Sequence, residues 1–165
     1  MKIDSRDLDV LLEAHLQKPE KVAVYKPRVE ANMVNGVAVF KATWSWWAFF
    51  ATWAYFLYRK MYIEAGVLFI LNVISSFIPG FFFIIMIFSG VSAFYFYTKK
   101  FLRDLQIAEY GSRPIDEVCE KLKVLGGYNS WVVWVSVLLN ILALIPFLVG
   151  FLSILMVSSG TGNNF

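Results

Sequence analysis

Leu8, Leu11, Leu12 and His15 recur at i, i+3, i+4 and i+7, with Asp9 and Glu13 on the opposite side. That period predicts a short amphipathic helix over 4–17, capped by Asp4 or Ser5 and ended by Pro19. A helix of this length is marginal alone, so it needs a cover: the rest of the chain, a second chain or a membrane surface. Residues 20–43 admit two readings. Asn35-Gly36 can turn a hairpin between the apolar residues on either side. Alternatively, 28–34 form one helix closed by Gly36. The helix is the reading favoured.

Four apolar runs follow, at 44–58, 61–78, 81–98 and 131–157, with Pro79-Gly80 between the second and third. A spanning helix needs about 20 residues, within about 17–25. The second and third runs just qualify. The fourth is ample, and Pro146 can kink it or let it tilt. The first is short. The third helix is predicted to run on through the charged residues that follow and to stop at Gly111. A further helix is predicted over 113–125, capped by Ser112, with Pro114, Asp116 and Glu117 in its first turn. Ile115, Val118, Cys119, Leu122 and Leu125 form its apolar stripe, and Gly126-Gly127 end it. The organisation is therefore an amphipathic region at 1–43, an aromatic helix and apolar hairpin at 44–98, a charged helical segment at 99–130, and a last apolar helix with a polar tail at 131–165.

Composition puts this pattern in the membrane class. Hydrophobic residues make up 59% of the 165 and charged residues 16%, against about 45–50% and about 25% in ordinary soluble domains. The charges are also segregated. Residues 1–43 hold seven Lys/Arg and six Asp/Glu, and 99–123 hold six and five. Only Arg59, Lys60 and Glu64 lie between, and none follows Lys123. A net charge of +3 spread this way gives no basic stripe for nucleic acid and suits weak attraction to anionic lipid. Cys119 is the sole cysteine, so no intrachain disulfide is expected. No cleavable signal peptide is expected either.

Positive charge near apolar runs favours the cytoplasmic side. If all four runs span, one of the basic groups, 1–43 or the pair formed by Arg59-Lys60 and 99–103, has to lie outside. If the first run lies at the interface, every charged segment is cytoplasmic and the outer loop is the tight Pro79-Gly80. The expectation is an all-α integral membrane helical bundle with three spans plus an interfacial aromatic helix; four spans is the alternative. Trp44, Trp46, Trp47, Trp53 and Tyr58 suit the headgroup zone, where a ring is half apolar and half wet. Arg59 and Lys60 would snorkel toward phosphates as the last part of that anchor. A sharper reading makes the Trp rings and the two cations a lipid-headgroup or partner site.

Trp44, Trp46, Ala48-Phe49-Phe50, Trp53 and Tyr58-Arg59-Lys60-Met61-Tyr62 together resemble the signature of a bacterial family, domain of unknown function 2628. The resemblance covers roughly 25–105. The chain differs in its longer amphipathic N-terminal region, its added fourth apolar run, and the lack of the Gly-Pro that often follows AFF in the family. The resemblance implies a small bacterial inner-membrane protein and no particular reaction.

Three polar residues lie within the apolar runs. Glu64 is four residues from Lys60 and is expected to pair with it at the membrane boundary. Asn72 and Asn140 lie near the middle of the second and fourth runs and are expected to hydrogen-bond between helices, for about 1 kcal/mol. The spacings Ser76-xxx-Gly80 and Ser89-xxx-Ala93 are expected to pack the hairpin. His15 stands without the neighbours a metal site needs, and Cys119 reads as a buried, inert thiol. No catalytic constellation, phosphate loop or dinucleotide fingerprint occurs. The expectation is a non-enzymatic structural or accessory component of the bacterial inner membrane, multi-pass, with a cytoplasmic N-terminus. It needs no cofactor. Its partners are the lipid bilayer and a membrane protein or a second copy. A transporter or channel subunit is the alternative.

Overall fold

The computed structural model describes residues 3–139 and 141–142, with the Ser5 side chain set aside. The chain divides into two compact units, Met1–Asn129 and Ser130–Phe165. In the second, residues 131–139 are helical. The rest of the fourth apolar run, with Pro146, Asn140 and the polar tail, lies outside the described residues.

In the first unit, Asp4 caps helix α1 (Ser5–Leu16) by accepting from the Arg6 N–H. Gln17, at φ 53°, closes it with a bond to the Glu13 carbonyl. Pro19 then opens helix α2 (Pro19–Ala31); its missing N–H is no loss in the first turn and its fixed φ already suits a helix. The helix favoured over 28–34 stops at Ala31. Beyond it β1 (Met33–Val34) and β2 (Val37–Ala38) pair antiparallel, Met33 opposite Ala38 and Val34 opposite Val37. Asn35 and Gly36 have φ of 52° and 77°, the doubly left-handed turn that Asn-Gly adopts readily. Asn32 is fully buried and pins the hairpin: its side chain bonds the Arg28 carbonyl and accepts from the Lys41 N–H.

The aromatic run is two helices, α3 (Trp46–Ala51) and α4 (Trp53–Tyr58), broken at Thr52, where φ is 40° and ψ −119°. An Arg59-Lys60 turn leads into α5 (Tyr62–Ser75). Gly80, at φ 83°, reverses the chain into α6 (Phe81–Ile107). At 27 residues, α6 is about 40 Å long. Among the described residues it is the one helix long and apolar enough to cross a membrane, whereas α5 is apolar but short. The structure is thus mostly helical, with one such helix among the described residues; most of the last of the three expected spans lies outside them.

Helix α7 (Ile115–Leu125) follows Pro114 with no side-chain cap. Ser112, the expected cap, instead bonds through its N–H to the Glu109 carbonyl. The faces of α1 and α7 bury each other. Leu8, Leu11, Leu12 and Leu16 lie against the same core as Val118, Cys119 and Leu122. The cover α1 requires is therefore supplied by its own chain. The second half of α6 runs through this core with Ala93, Phe94, Phe101 and Leu105 buried. The first half buries a narrower face, with Ile85 and Ser89 inside, while Phe83, Ile84, Ile87 and Phe88 are exposed.

Candidate functional site

Helix α6 places Tyr97, Lys100 and Asp104 at i, i+3 and i+7, on one face. All three are buried. Helix α1 brings His15 against them from its last turn. His15 Nε2 lies 2.9 Å from Asp104 Oδ2 and Nδ1 lies 2.8 Å from the Tyr97 hydroxyl. The network assigns the tautomer: Nε2–H donates to the carboxylate and Nδ1 accepts from Tyr97. Burial drives the His15 pKa down to about 4; the Asp104 hydrogen bond opposes that shift and the Lys100 charge adds to it. The imidazole is therefore neutral near pH 7. Lys100 pairs with Asp104 and donates to the Leu125 carbonyl at 3.0 Å, which satisfies a free carbonyl at the end of α7. Gly127 N–H bonds the His15 carbonyl at 2.7 Å. Gly126 lies so close that a Cβ there would stand 2.3 Å from the same oxygen.

A second polar group adjoins the first. The Tyr25 ring meets the Tyr97 ring edge-on at 4.7 Å. Its hydroxyl shares a 2.9 Å bond with Tyr55 and accepts from Arg59 Nε at 3.1 Å. Five elements thus converge on a buried polar seam. Its carboxylate and ammonium are matched, and its imidazole has both nitrogens satisfied. With His15 2% exposed and Asp104 3%, the His15–Lys100–Asp104 cluster has no open face to a substrate, and its chemistry is that of a tie between α1, α6 and α7.

The anchor residues of the aromatic run separate. Trp46 and Trp47 are exposed, the latter by 75%. Trp44 is half-buried and meets Phe49 and Trp46 at 5.2 Å. Trp53 is half-buried against Phe69. Tyr58 stacks on Tyr128 at 5.3 Å. Arg59, expected to snorkel, is 5% exposed and joins the seam. Lys60 has φ 58° and precedes α5, so it does not share a helical face with Glu64. Glu64 is half-buried, and no Lys60–Glu64 ion pair occurs among the described residues. Asn72 donates to the Leu68 carbonyl at 2.8 Å and reaches Thr52 Oγ1 at 3.5 Å; its expected partner Asn140 lies outside the described residues.

The small residues of α6 serve α3. The Gly90 carbonyl accepts from Ser45 N–H at 2.9 Å, and a Cβ on Gly90 would stand 3.1 Å from the Phe49 Cβ and 3.2 Å from the Trp44 ring. Gly90, between Ser89 and Ala93, thus takes the close approach of the aromatic helix. Cys119 is buried, and burial pushes its thiol up. No cluster of three or more His, Cys, Asp or Glu suited to a metal ion occurs among the described residues.

Sequence reasoning missed the seam. The i, i+4 spacing of Lys100 and Asp104 signals a pair, but such pairs are commonly solvated. What distinguished this one was its setting among Phe94, Tyr97, Phe101 and Leu105, a stripe that continues the core past the apolar run. No family model, curated protein or solved structure matches the chain, so the family resemblance rests on its motif residues alone.

Proposed function

We propose that this chain is a structural or accessory component of the bacterial inner membrane. Its apolar hairpin is held in the bilayer and its charged helices form a cap on the cytoplasmic side. The observation that carries this reading is the distribution of exposed apolar surface. Trp46, Trp47 and Phe50 of α3, Ile63, Val67, Ile70 and Val73 of α5, Phe77 at the bend, and Phe83, Ile84 and Ile87 of α6 are all exposed. Soluble monomers rarely expose contiguous apolar patches beyond a few hundred Å². The charged residues gather in α1, α2, the end of α6 and α7. In this reading the α5–α6 hairpin and the last apolar run give three crossings, the aromatic helices rest at the interface, and the N-terminus is cytoplasmic.

Because α1 and α7 cover each other's apolar faces, a partner would be met through their charged outer faces or through lipid-facing helices. The test is alkaline carbonate extraction of native membranes, followed by mild-detergent copurification. The protein is expected in the carbonate-resistant pellet together with a stoichiometric membrane protein or a second copy. Release into the supernatant would end the membrane reading, and a solitary protein would end the accessory one. A transporter or channel subunit is less supported, because the Asn72 amide is occupied by its own helix.

A further inference from the structure

Arg59 carries a full positive charge into the interior with no opposite charge to meet it. It makes no ion pair among the described residues. Nε donates to Tyr25, but Nη1 is buried with no hydrogen-bond partner among the described residues. The groups around it are the Tyr25, Tyr55 and Tyr97 hydroxyls and the neutral His15. Its guanidinium lies 4.9 Å from the Tyr25 ring centre and 5.5 Å from that of Tyr58. Ring faces attract a cation but do not replace an anion or lost hydration. The neighbouring Lys100 shows the contrast, since it is buried beside Asp104.

A second cation rests on the same ring. Lys18, in the bend between α1 and α2, holds Nζ 5.7 Å from the Tyr58 ring centre and 4.4 Å from that of Tyr128, and it too makes no ion pair among the described residues. The ring is fixed in place. Asn129 N–H bonds the Tyr58 carbonyl at 2.8 Å and its side chain bonds the Leu57 carbonyl at 3.1 Å. Immediately beyond, Tyr62 and Ile63 begin the exposed apolar surface of α5. The two cations thus lie at the level where charged surface gives way to apolar surface.

We propose that Arg59 Nη1 and Lys18 Nζ, gathered about the Tyr58 ring, form a binding site for a phosphate group, taken either from a phospholipid headgroup or from inorganic phosphate. The guanidinium offers directed donors to phosphate oxygens, and the ammonium adds a point charge. Only the lipid source rests on the membrane reading above.

The test uses the full chain in maltoside micelles. Inorganic phosphate is titrated against chloride at constant ionic strength, following the Arg59 Nε–H resonance. In parallel, native mass spectrometry follows retention of phosphatidic acid and of an uncharged diacylglycerol. Wild type should bind phosphate or retain phosphatidic acid, but not diacylglycerol. Lys18→Gln, a change at a half-exposed bend, should weaken binding about tenfold or more, the loss of one charge-assisted contact. Arg59→Lys should weaken it as well, because the fork is lost. Lys121→Gln, on the outer face of α7, should change nothing. Binding of inorganic phosphate without lipid retention supports the site and assigns a soluble ligand. Absence of both, or binding equal in wild type and Lys18→Gln, overturns it. Carbonate extraction reports on the membrane reading separately, so failure of one is not failure of the other.

Discussion

At the scale of single residues, the seam is where a small change has the largest effect. Asp104 is shared by Lys100 and His15 and buried with both. Asp104→Asn keeps the shape and leaves the Lys100 ammonium without its counter-charge. Breaking a buried pair from one side typically loses about 3–5 kcal/mol, so a large fall in the thermal midpoint in detergent is expected. A midpoint within a degree or two of wild type would show that water reaches Lys100. His15 adds a pH signature. Its folded pKa of about 4 lies below the ordinary 6.5, so the unfolded chain takes up this proton first. The stability of the neutral imidazole is complete above pH 6.5 and is lost as pH falls toward 4, by roughly 3 kcal/mol in all at about 1.4 kcal/mol per unit. Denaturation midpoints followed from pH 7 to 4 should fall through that window, and the slope should flatten in His15→Gln. An unchanged slope in that variant would assign the acid sensitivity to carboxylates.

At the scale of elements, two close approaches hold the helices where they are. Gly90 lets α3 lie on α6, and Gly126 lets the chain leave α7 across the end of α1. Gly126→Ala places a methyl 2.3 Å from the His15 carbonyl oxygen. Neither backbone can yield without disturbing the seam, so a loss of about 1–3 kcal/mol is expected. An unfolding midpoint equal to wild type would mean that the α7 exit is loose. How much of this could be read from the chain differs by element. Asp4, Pro19, Asn35-Gly36, Pro79-Gly80 and Pro114 mark their boundaries by local chemistry, and α1, α5, α6 and α7 fall close to where their periodicity places them, whereas the helix favoured over 28–34 is instead Pro19–Ala31 with a hairpin after it. The break at Thr52 has no such mark. It arises where α3 must lie on Gly90 while α4 turns toward α5, a demand set by distant residues. The burial of Arg59 and Lys100 is hidden for the same reason, because charge in a sequence reads as surface until the covering element is known.

At the scale of the whole molecule, the α5–α6 hairpin has to settle between two environments. Helix α5 has 14 residues, about 21 Å at 1.5 Å per residue, and a bilayer core is about 30 Å thick. Its bend carries no charge, and Phe77 there is 82% exposed. A chain in water would gain from a polar group at that point, whereas a hairpin tip in hydrocarbon would lose. Phe77→Asp is therefore decisive. It removes no buried contact, so the charged half should keep its thermal midpoint in detergent. On the membrane reading, the carbonate-resistant fraction should fall severalfold, since an ionised carboxylate in the bilayer core is unfavourable by a few kcal/mol. The same tip settles depth. With Cys119→Ser removing the native thiol, Pro79→Cys should react with an impermeant reagent only from the periplasmic side, and Val10→Cys, on the outer face of α1, only after the membrane is opened. Labelling of both positions from the inside would make the hairpin re-entrant, with α5 too short to cross and the bilayer entered from one face alone. An unaltered membrane fraction for Phe77→Asp would place the bend in water, and the exposed apolar surface would then have to meet another protein.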